Sequence, residues 1–210
     1  MFRKVLIANR GEIAVRVIRA CREMGIRTVA VCSEADREAL HAQLADETIC
    51  IGPPSPKESY LNVERILSAA VSTGAEAIHP GFGFLSENSR FARMAQQCGL
   101  VFIGPSAQCI DQMGNKAVAR SMMIQAGVPV IPGSEGVVKN AREAKRLAQK
   151  IGYPVMIKAA AGGGGRGMRL ARTPEVFKSM FEAAQMETQS AFGDDGMYLE
   201  RYIEHARHIE

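Results

Sequence analysis

Short apolar segments alternate with amphipathic helical segments through the first half of the chain, and this alternation constrains the fold more than any other feature. Val5–Ala8 is a continuous apolar run, and Asn9–Gly11 leads from it into a segment with apolar residues three and four apart. Strands and helices that alternate in this way are typical of a parallel sheet covered on both faces. The predicted fold class is therefore α/β with a Rossmann-like parallel sheet. The other predicted elements here are strands at 28–32, 48–51, 76–79 and 100–103 and helices at 60–72 and 89–98.

The pattern changes after Pro132–Gly133, where a second region is predicted. Its predicted elements are a helix at 141–151, two short strands around a glycine run, a helix from 173 to about 188 and a strand at 197–203. Between the regions, Ser106 and Asn115 are predicted to cap helices that run to about Met113 and Gln125. We therefore predict an N-terminal domain at 1–112, a helical linker at 113–130 and a partial domain at 131–210.

The amino-acid composition is that of a folded protein with a buried core, and it does not indicate nucleic-acid binding or a disulfide framework. The chain has 210 residues, 47% of them hydrophobic, which is enough to bury a core. Its net charge of +4 comes from 26 basic and 22 acidic residues without a basic block, so nucleic-acid binding is not indicated. The five cysteines form no C-x-x-C pair and are predicted to be buried and reduced. No signal or membrane segment is recognised, and the cytosol is the predicted compartment.

The segment Lys158–Gly167 holds five glycines within six residues, directly after an apolar strand. Successive glycine N–H groups can turn toward one anion, and Lys158 and Arg166 add positive charge. The apolar residues on both sides favour a hairpin loop over a flexible linker. This segment predicts a binding site for a nucleoside triphosphate.

Two further segments are consistent with a nucleotide. Lys116 stands at the start of a predicted helix, where N–H groups favour phosphate, although a lone lysine is usually solvated. Tyr198–Glu204 alternates apolar and polar residues, as a strand with one buried face does. Its backbone N–H and C=O groups and a carboxylate could pair with the edge of an adenine. The alternative interpretation is an ordinary half-buried strand.

The loop His79–Asn88 follows a strand at the sheet edge where α/β proteins bind ligands, and it is interpreted either as a cleft lining or as a structural turn. His79 itself is either reactive or internal. Asn9–Ala14 has one glycine where a dinucleotide turn needs three, which excludes an NAD site of that kind.

Taken together, Asn9–Ala14, His79–Asn88, Met113–Lys116 and the glycine run resemble the biotin carboxylase family in order along the whole chain. The resemblance is strongest to the subunit that serves acetyl-CoA carboxylase, with the N-terminal part of pyruvate carboxylase nearly as close. It implies a pre-ATP-grasp domain followed by the first subdomain of an ATP-grasp fold, truncated at the end of the chain. It also implies MgATP-dependent formation of carboxyphosphate from bicarbonate and carboxylation of biotin on a carrier protein.

The resemblance also implies roles for individual residues. Lys116 and Lys158 hold ATP phosphates under a flap of Gly163, Gly164 and Gly165. The adenine meets Glu200, Arg201, Tyr202 and Ile203, and His208 approaches the ribose or the phosphates. Three residues depart from the family pattern without overturning these roles, namely Phe82, Ala161 and Arg201.

The resemblance also implies partner proteins, and it implies that some active-site residues of the family are not in this chain. Arg16, Arg19 and Glu23 of the first helix take part in a homodimer contact, and the carrier protein and a carboxyltransferase are partners. The ligands of Mg²⁺ or Mn²⁺ and the residues that handle bicarbonate and biotin lie after residue 210. The chain is therefore expected to be an N-terminal fragment that is inactive alone, with no catalytic or metal residue of its own.

Alternatives remain open. One is another biotin-dependent carboxylase, and a second is an ATP-grasp enzyme of carbamoyl phosphate or purine synthesis, which the His79–Asn88 loop disfavours. A third is a non-catalytic nucleotide-binding module. An oxidoreductase is disfavoured by the missing dinucleotide fingerprint.

Overall fold

The computed structural model describes residues 1–160 and 167–207, and the chain divides into two compact units, Met1–Ala119 and Arg120–Glu210. The division falls inside the predicted linker at 113–130. The elements that begin in the first unit are strands β1 (Lys4–Ile7), β2 (Arg27–Cys32), β3 (Glu47–Cys50), β4 (Ala77–His79) and β5 (Val101–Phe102) and helices α1 (Gly11–Glu23), α2 (Leu40–Leu44), α3 (Val63–Ser72), α4 (Ser89–Gln97), α5 (Ala107–Gly114) and α6 (Lys116–Gln125).

The first unit is built on a parallel sheet with the strand order β3-β2-β1-β4-β5. Alternate side chains of the central strand β1 enter two different hydrophobic clusters. Val5 and Ile7 pack with α1, whereas Leu6, and Ala8 directly after the strand, pack with α3 and α4. The predicted parallel sheet with both faces covered is confirmed.

The direction of strand addition reverses at β1, because β2 and β3 lie on one side of it and β4 and β5 on the other. Open α/β sheets bind ligands beyond the carboxyl ends of the strands at such a point. The turn Asn9–Gly11 follows β1, and the loop that begins at Pro80 follows β4. Both segments therefore lie at the sheet edge where a ligand is expected.

The second unit contains α7 (Ala141–Ile151), β6 (Val155–Ala159), β7 (Arg169–Ala171), α8 (Pro174–Phe192) and β8 (Met197–Arg201). Its three strands form an antiparallel sheet in the order β7-β6-β8. One face of this sheet packs on α7 and α8, where Phe177 and Phe181 are fully buried. Because β6 and β7 are antiparallel neighbours on either side of the glycine run, the predicted hairpin is confirmed.

Side-chain caps set several helix starts. Ser106 accepts a hydrogen bond from the Cys109 N–H, and Asn115 accepts one from the Val118 N–H, as predicted. The sequence Thr173-Pro174-Glu175 predicts a helix cap, and Thr173 does stand at the N-cap of α8, but its side chain accepts no capping hydrogen bond. That helix also continues to Phe192 rather than Thr188.

The helix predicted to begin at Tyr60 begins instead at Val63, because Asn62 caps it by accepting from the Arg65 N–H. Tyr60 is fully buried, and its hydroxyl donates to the Asp36 carboxylate at 2.7 Å. The aromatic side chain therefore belongs to a tertiary contact and not to the helix.

The prediction that all five cysteines are buried is wrong. Cys21 and Cys32 are buried and Cys109 is half-buried, but Cys50 and Cys98 are exposed, and all five are free thiols. In the part of the chain that the structure describes, no helix is both long and apolar enough to cross a membrane.

Candidate functional site

The antiparallel sheet of the second unit has two unlike faces, because side chains alternate along each strand. On the inner face, Val155, Ile157, Met197 and Leu199 are fully buried. We call the other side the open face. Its residues are half-buried, and they are Met156, Lys158, Leu170, Tyr198 and Glu200.

An ion pair occupies the centre of the open face. Lys158 lies opposite Tyr198 in the β6–β8 register, and Glu200 lies opposite Met156, so Lys158 and Glu200 are diagonal neighbours. The Lys158 ammonium donates to the Glu200 carboxylate, and their side chains are 37% and 21% exposed. Two of the predicted site residues are thus brought together. Each charge neutralises the other, and both remain within reach of solvent.

Tyr198 adds an unpaired hydroxyl beside this pair, which the sequence reasoning missed. Among the described residues its buried hydroxyl has no hydrogen-bond partner. Burial raises the pKa of the Tyr198 phenol, and the positive charge of Arg120 partly opposes the rise. The side chain therefore stays protonated at neutral pH.

The end of β8 was predicted to offer backbone groups to a purine. The Arg201 N–H already donates to the Pro132 carbonyl at 2.8 Å, and the Tyr202 N–H donates to the Pro154 carbonyl at 2.9 Å. Ile203 is 43% exposed, and its N–H has no acceptor within the described ranges. Of these three N–H groups, that of Ile203 remains available to a ligand.

Other predicted site residues fall where the structure gives no description. Gly163, Gly164, Gly165 and His208 lie outside the described residues. Lys116 begins α6, as predicted, but its side chain is also outside the description.

Gly167 anchors the far end of the glycine segment. Its φ is +70°, and a Cβ there would lie 2.2 Å from the Thr188 hydroxyl oxygen of α8. That hydroxyl is fixed, because Thr188 is buried and donates to the Ala184 carbonyl at 2.7 Å. Only glycine fits this position, so the chain enters β7 in close contact with the helix.

In the first unit, buried Asn9 holds the loop after β4. Its side-chain amide donates to the Pro80 carbonyl at 2.8 Å and to the Phe82 carbonyl at 2.7 Å. Gly81 has a φ of +65°, and a Cβ there would lie 2.7 Å from the Asn9 amide nitrogen. The glycine is therefore needed for this contact, and Phe82 is presented to solvent with 62% exposure.

His79 has a structural role in the same loop. Its Nδ1 accepts a hydrogen bond from the Gly81 N–H at 3.0 Å, and burial lowers the pKa of the imidazole. Of the two predicted alternatives, an internal histidine describes this arrangement better than a reactive one.

A charged cluster that the sequence reasoning missed supports the end of the loop. Asp36 accepts hydrogen bonds from Ser33, Tyr60 and Arg10. Burial opposes ionisation of Asp36, but these three donors hold its pKa below the usual value. The Arg10 guanidinium lies 5.6 Å from the ring centre of Phe84, which stacks on Tyr60 at 5.1 Å.

The outer face of α1 carries exposed Arg16, Arg19 and Glu23, as expected for a solvated or interface surface. These three residues line an open groove of about 810 Å³ together with Leu40 and His41 of α2.

Comparison of the sequence with known protein families identifies two matching domains. Residues 1–110, more than half of the chain, match the sequence model described as the biotin carboxylase N-terminal domain. The chain belongs to the biotin carboxylase family. Residues 115–210 match the model of the ATP-binding domain of the carbamoyl-phosphate synthase L chain.

Among curated biotin carboxylases, biotin carboxylase 1 of Bacillus subtilis is 59% identical over 210 residues. The match covers 100% of this chain and 47% of that protein. The chain thus spans about half the length of the curated relatives it matches.

Solved biotin carboxylase structures share the fold. The Campylobacter jejuni enzyme, solved as a beta-gamma-ATP complex, is 48% identical with a TM-score of 0.81 over 97% of this chain and 46% of its own. The biotin carboxylase domain dimer of Hydrogenobacter thermophilus 2-oxoglutarate carboxylase, solved with MgADP, ADP and bicarbonate, is 53% identical with a TM-score of 0.78 over 97% of this chain and 45% of its own. The predicted fold, a Rossmann-like domain followed by the first part of an ATP-grasp fold, is confirmed.

Proposed function

We propose that this chain forms part of a biotin carboxylase that uses ATP and bicarbonate to form carboxyphosphate and transfers the carbon dioxide to biotin on a carrier protein. The family matches over residues 1–110 and 115–210 support this proposal. The observation that carries it is the Lys158–Glu200 pair on the open face, next to a glycine hairpin.

The pair gives ATP two complementary partners. A phosphate group competes with Glu200 for the Lys158 ammonium, because a charge-assisted bond to phosphate replaces one to carboxylate. The carboxylate of Glu200, freed from Lys158, accepts a hydrogen bond from the exocyclic amine of adenine. The available N–H of Ile203 donates to a ring nitrogen on the same purine edge. One ligand thus supplies an anion for the lysine and a donor for the glutamate.

The remaining nucleotide contacts are proposed from the resemblance. Lys116 binds phosphate at the N-terminus of α6, where N–H groups already favour an anion. Gly163, Gly164 and Gly165 close over the phosphates, and His208 approaches the ribose or the phosphates. Bound Mg²⁺ or Mn²⁺ neutralises charge on the phosphates, and its ligands are expected after residue 210, so no residue of this chain is assigned to it.

We propose further that residues 1–210 alone do not turn ATP over. Phosphoryl transfer depends on groups that position the nucleotide and neutralise developing charge from several sides. The matched relatives are about twice as long as this chain. A purified 210-residue chain is expected to show no bicarbonate-dependent ATP hydrolysis, and measurable turnover would contradict this proposal.

The proposed setting is the first half-reaction of acetyl-CoA carboxylase in cytoplasmic fatty acid biosynthesis, with a biotin carboxyl carrier protein and a carboxyltransferase as partners. The competing setting is a keto-acid carboxylase, since one solved relative is part of a 2-oxoglutarate carboxylase. Carboxyl transfer from the loaded carrier to acetyl-CoA, pyruvate or 2-oxoglutarate, measured with the cognate transferase, distinguishes these acceptors.

We also propose a homodimer in which the exposed α1 residues Arg16, Arg19 and Glu23 meet a second copy. The support is their exposure along one helix face and the dimer described for the Hydrogenobacter thermophilus relative.

The purine contact is tested by comparing ATP with inosine triphosphate, which lacks the exocyclic amine. The full-length protein is expected to bind ATP about 10-fold more tightly or better, because a hydrogen bond to a charged group is worth about 1.5–3 kcal/mol. Glu200→Ala should bring the two affinities together, whereas Glu187→Ala on α8 should leave the preference unchanged. Equal affinities for both nucleotides in the unaltered protein would contradict the assignment of Glu200.

A further inference from the structure

Two cysteines face each other across neighbouring strands of the first sheet. Cys32 ends β2 and Cys50 ends β3, and they are direct partners in the parallel register. The preceding partners Val31 and Ile49 both pack into the hydrophobic cluster of α3 and α4. Because side chains alternate, Cys32 and Cys50 both point to the opposite side of the sheet.

The spacing of the two residues suits a disulfide. Adjacent strands of a sheet lie about 4.8 Å apart. Disulfides join residues whose Cα atoms are separated by roughly 4.4–6.8 Å. Burial, together with the neighbouring Cys50 side chain, raises the pKa of the Cys32 thiol. The bond can therefore form with little movement of the strands.

The two thiols differ in their access to solvent. Cys32 is only 2% exposed, whereas Cys50 lies on the edge strand and is exposed. An Arg37 guanidinium nitrogen donates to the Cys50 sulfur at 3.7 Å. The thiolate is the form of a cysteine that attacks peroxides, and an exposed sulfur is the one that a peroxide can reach. Cys98 is exposed as well, but the described residues offer it neither a second thiol nor a guanidinium group.

We propose that Cys50 and Cys32 are a peroxide-reactive pair, with Cys50 as the attacking thiol and Cys32 as the resolving thiol. The Cys50 thiolate attacks one oxygen of a hydroperoxide, the O–O bond breaks, and Cys50 becomes a sulfenic acid while hydroxide or alkoxide leaves. The Cys32 sulfur then attacks the Cys50 sulfur, and the S–O bond breaks with release of water. The products are an intrachain disulfide and a reduced peroxide, so the two thiols supply both electrons.

This modification site is separate from the proposed nucleotide contacts, none of which involves a cysteine. The disulfide would tie the edge strand β3 to β2 just before Ser33, whose hydroxyl donates to Asp36. Thiol reductants reverse it, because a disulfide beside solvent is open to thiol attack.

The test treats the full-length protein with a small excess of hydrogen peroxide and maps its peptides without reduction. A Cys32–Cys50 cross-linked peptide is expected, and it should disappear on addition of dithiothreitol. The Cys32→Ser variant should instead accumulate a dimedone-reactive sulfenic acid at Cys50. The Cys50→Ser variant should form no cross-link at Cys32, and Cys98→Ser, the control, should behave like the unaltered protein.

Alkylation kinetics provide a second readout that does not depend on disulfide formation. Cys50 is expected to react with iodoacetamide on the order of 10-fold faster than Cys98, and Arg37→Gln should remove most of this difference. Arg37→Lys, which keeps the charge, should retain part of it. The absence of a Cys32–Cys50 cross-link, or equal alkylation rates at Cys50 and Cys98, would overturn the proposal.

Discussion

The Lys158 ammonium and the Glu200 carboxylate form an ion pair across two strands whose opposite faces are fully buried. The buried faces fix the register of β6 and β8, since a slip by one residue would expose the core side chains. The pair is therefore positioned by the hydrophobic core and not by its own charge attraction. A half-exposed pair of this kind contributes little to folding, about 0–1 kcal/mol. Its loss should weaken ligand binding far more than it weakens stability.

Replacement of Gly167 is predicted to destabilise the second unit. In Gly167→Ala the new methyl group collides with the Thr188 hydroxyl, and the residue must keep a positive φ. We expect a loss of about 2–4 kcal/mol from strain and overpacking together. Urea unfolding measures it. Gly136→Ala is the matched control, because a Cβ there meets open space, and it should cost less than about 0.5 kcal/mol.

Loss of the Asn9 side chain is predicted to release the loop after β4. Asn9→Ala removes a buried hydrogen bond to the Pro80 carbonyl and a part-buried one to the Phe82 carbonyl. We expect a loss of about 2–3 kcal/mol. The control Asn62→Ala removes one helix cap and should cost only about 1 kcal/mol. The two variants are compared by urea unfolding and by amide exchange at Gly81 and Ser86, whose N–H groups are hydrogen-bonded within the loop. Only Asn9→Ala should increase the exchange rate there. Similar losses in both variants without faster exchange would contradict the anchoring role.

Acid is predicted to destabilise the first unit through buried His41 and half-buried His79. Burial lowers the pKa values of His41 and His79 below the ordinary 6.5. The unfolded chain then binds more protons than the folded chain, so this stability is fully present above pH 6.5 and is lost as the pH falls below it. His79→Asn keeps an acceptor for the Gly81 N–H and removes the titration. Its unfolding free energy should decline less between about pH 7.5 and about pH 5 than that of the unaltered protein. An equal decline would contradict the prediction.

The proposed dimer is predicted to depend on the charges of α1. Arg19→Glu in the full-length protein should place a like charge beside Glu23 and so repel the second copy. The molecular mass measured by light scattering should then shift toward that of a monomer. Arg142→Glu makes the same charge change on exposed α7 and should leave the mass unchanged. An unaltered mass in Arg19→Glu would exclude this helix from the interface.

Local patterns in the sequence were sufficient for the parallel sheet, the glycine hairpin and the helix starts at Ser106 and Asn115. Each of these depends on residues close together in the chain. The contacts that arrange the site join distant residues, as Lys158 and Glu200 are 42 positions apart and Arg10 and Asp36 are 26 apart. The exposure of Cys50 follows from the edge position of β3, which is a matter of strand order. Periodicity predicts the strands but not their order, and therefore not these contacts.

The most direct test of the account is the calorimetric affinity of the full-length protein for ATP when Lys158 is replaced. Lys158→Met keeps the side-chain length, and it is expected to weaken ATP binding by about 10- to 100-fold, since a charge-assisted contact to phosphate is worth about 1.5–3 kcal/mol. Lys139→Met is the control, because Lys139 is an exposed lysine paired with Asp195, and its affinity should be unchanged. Equal ATP affinity in the Lys158→Met and unaltered proteins would contradict a nucleotide site on the open face.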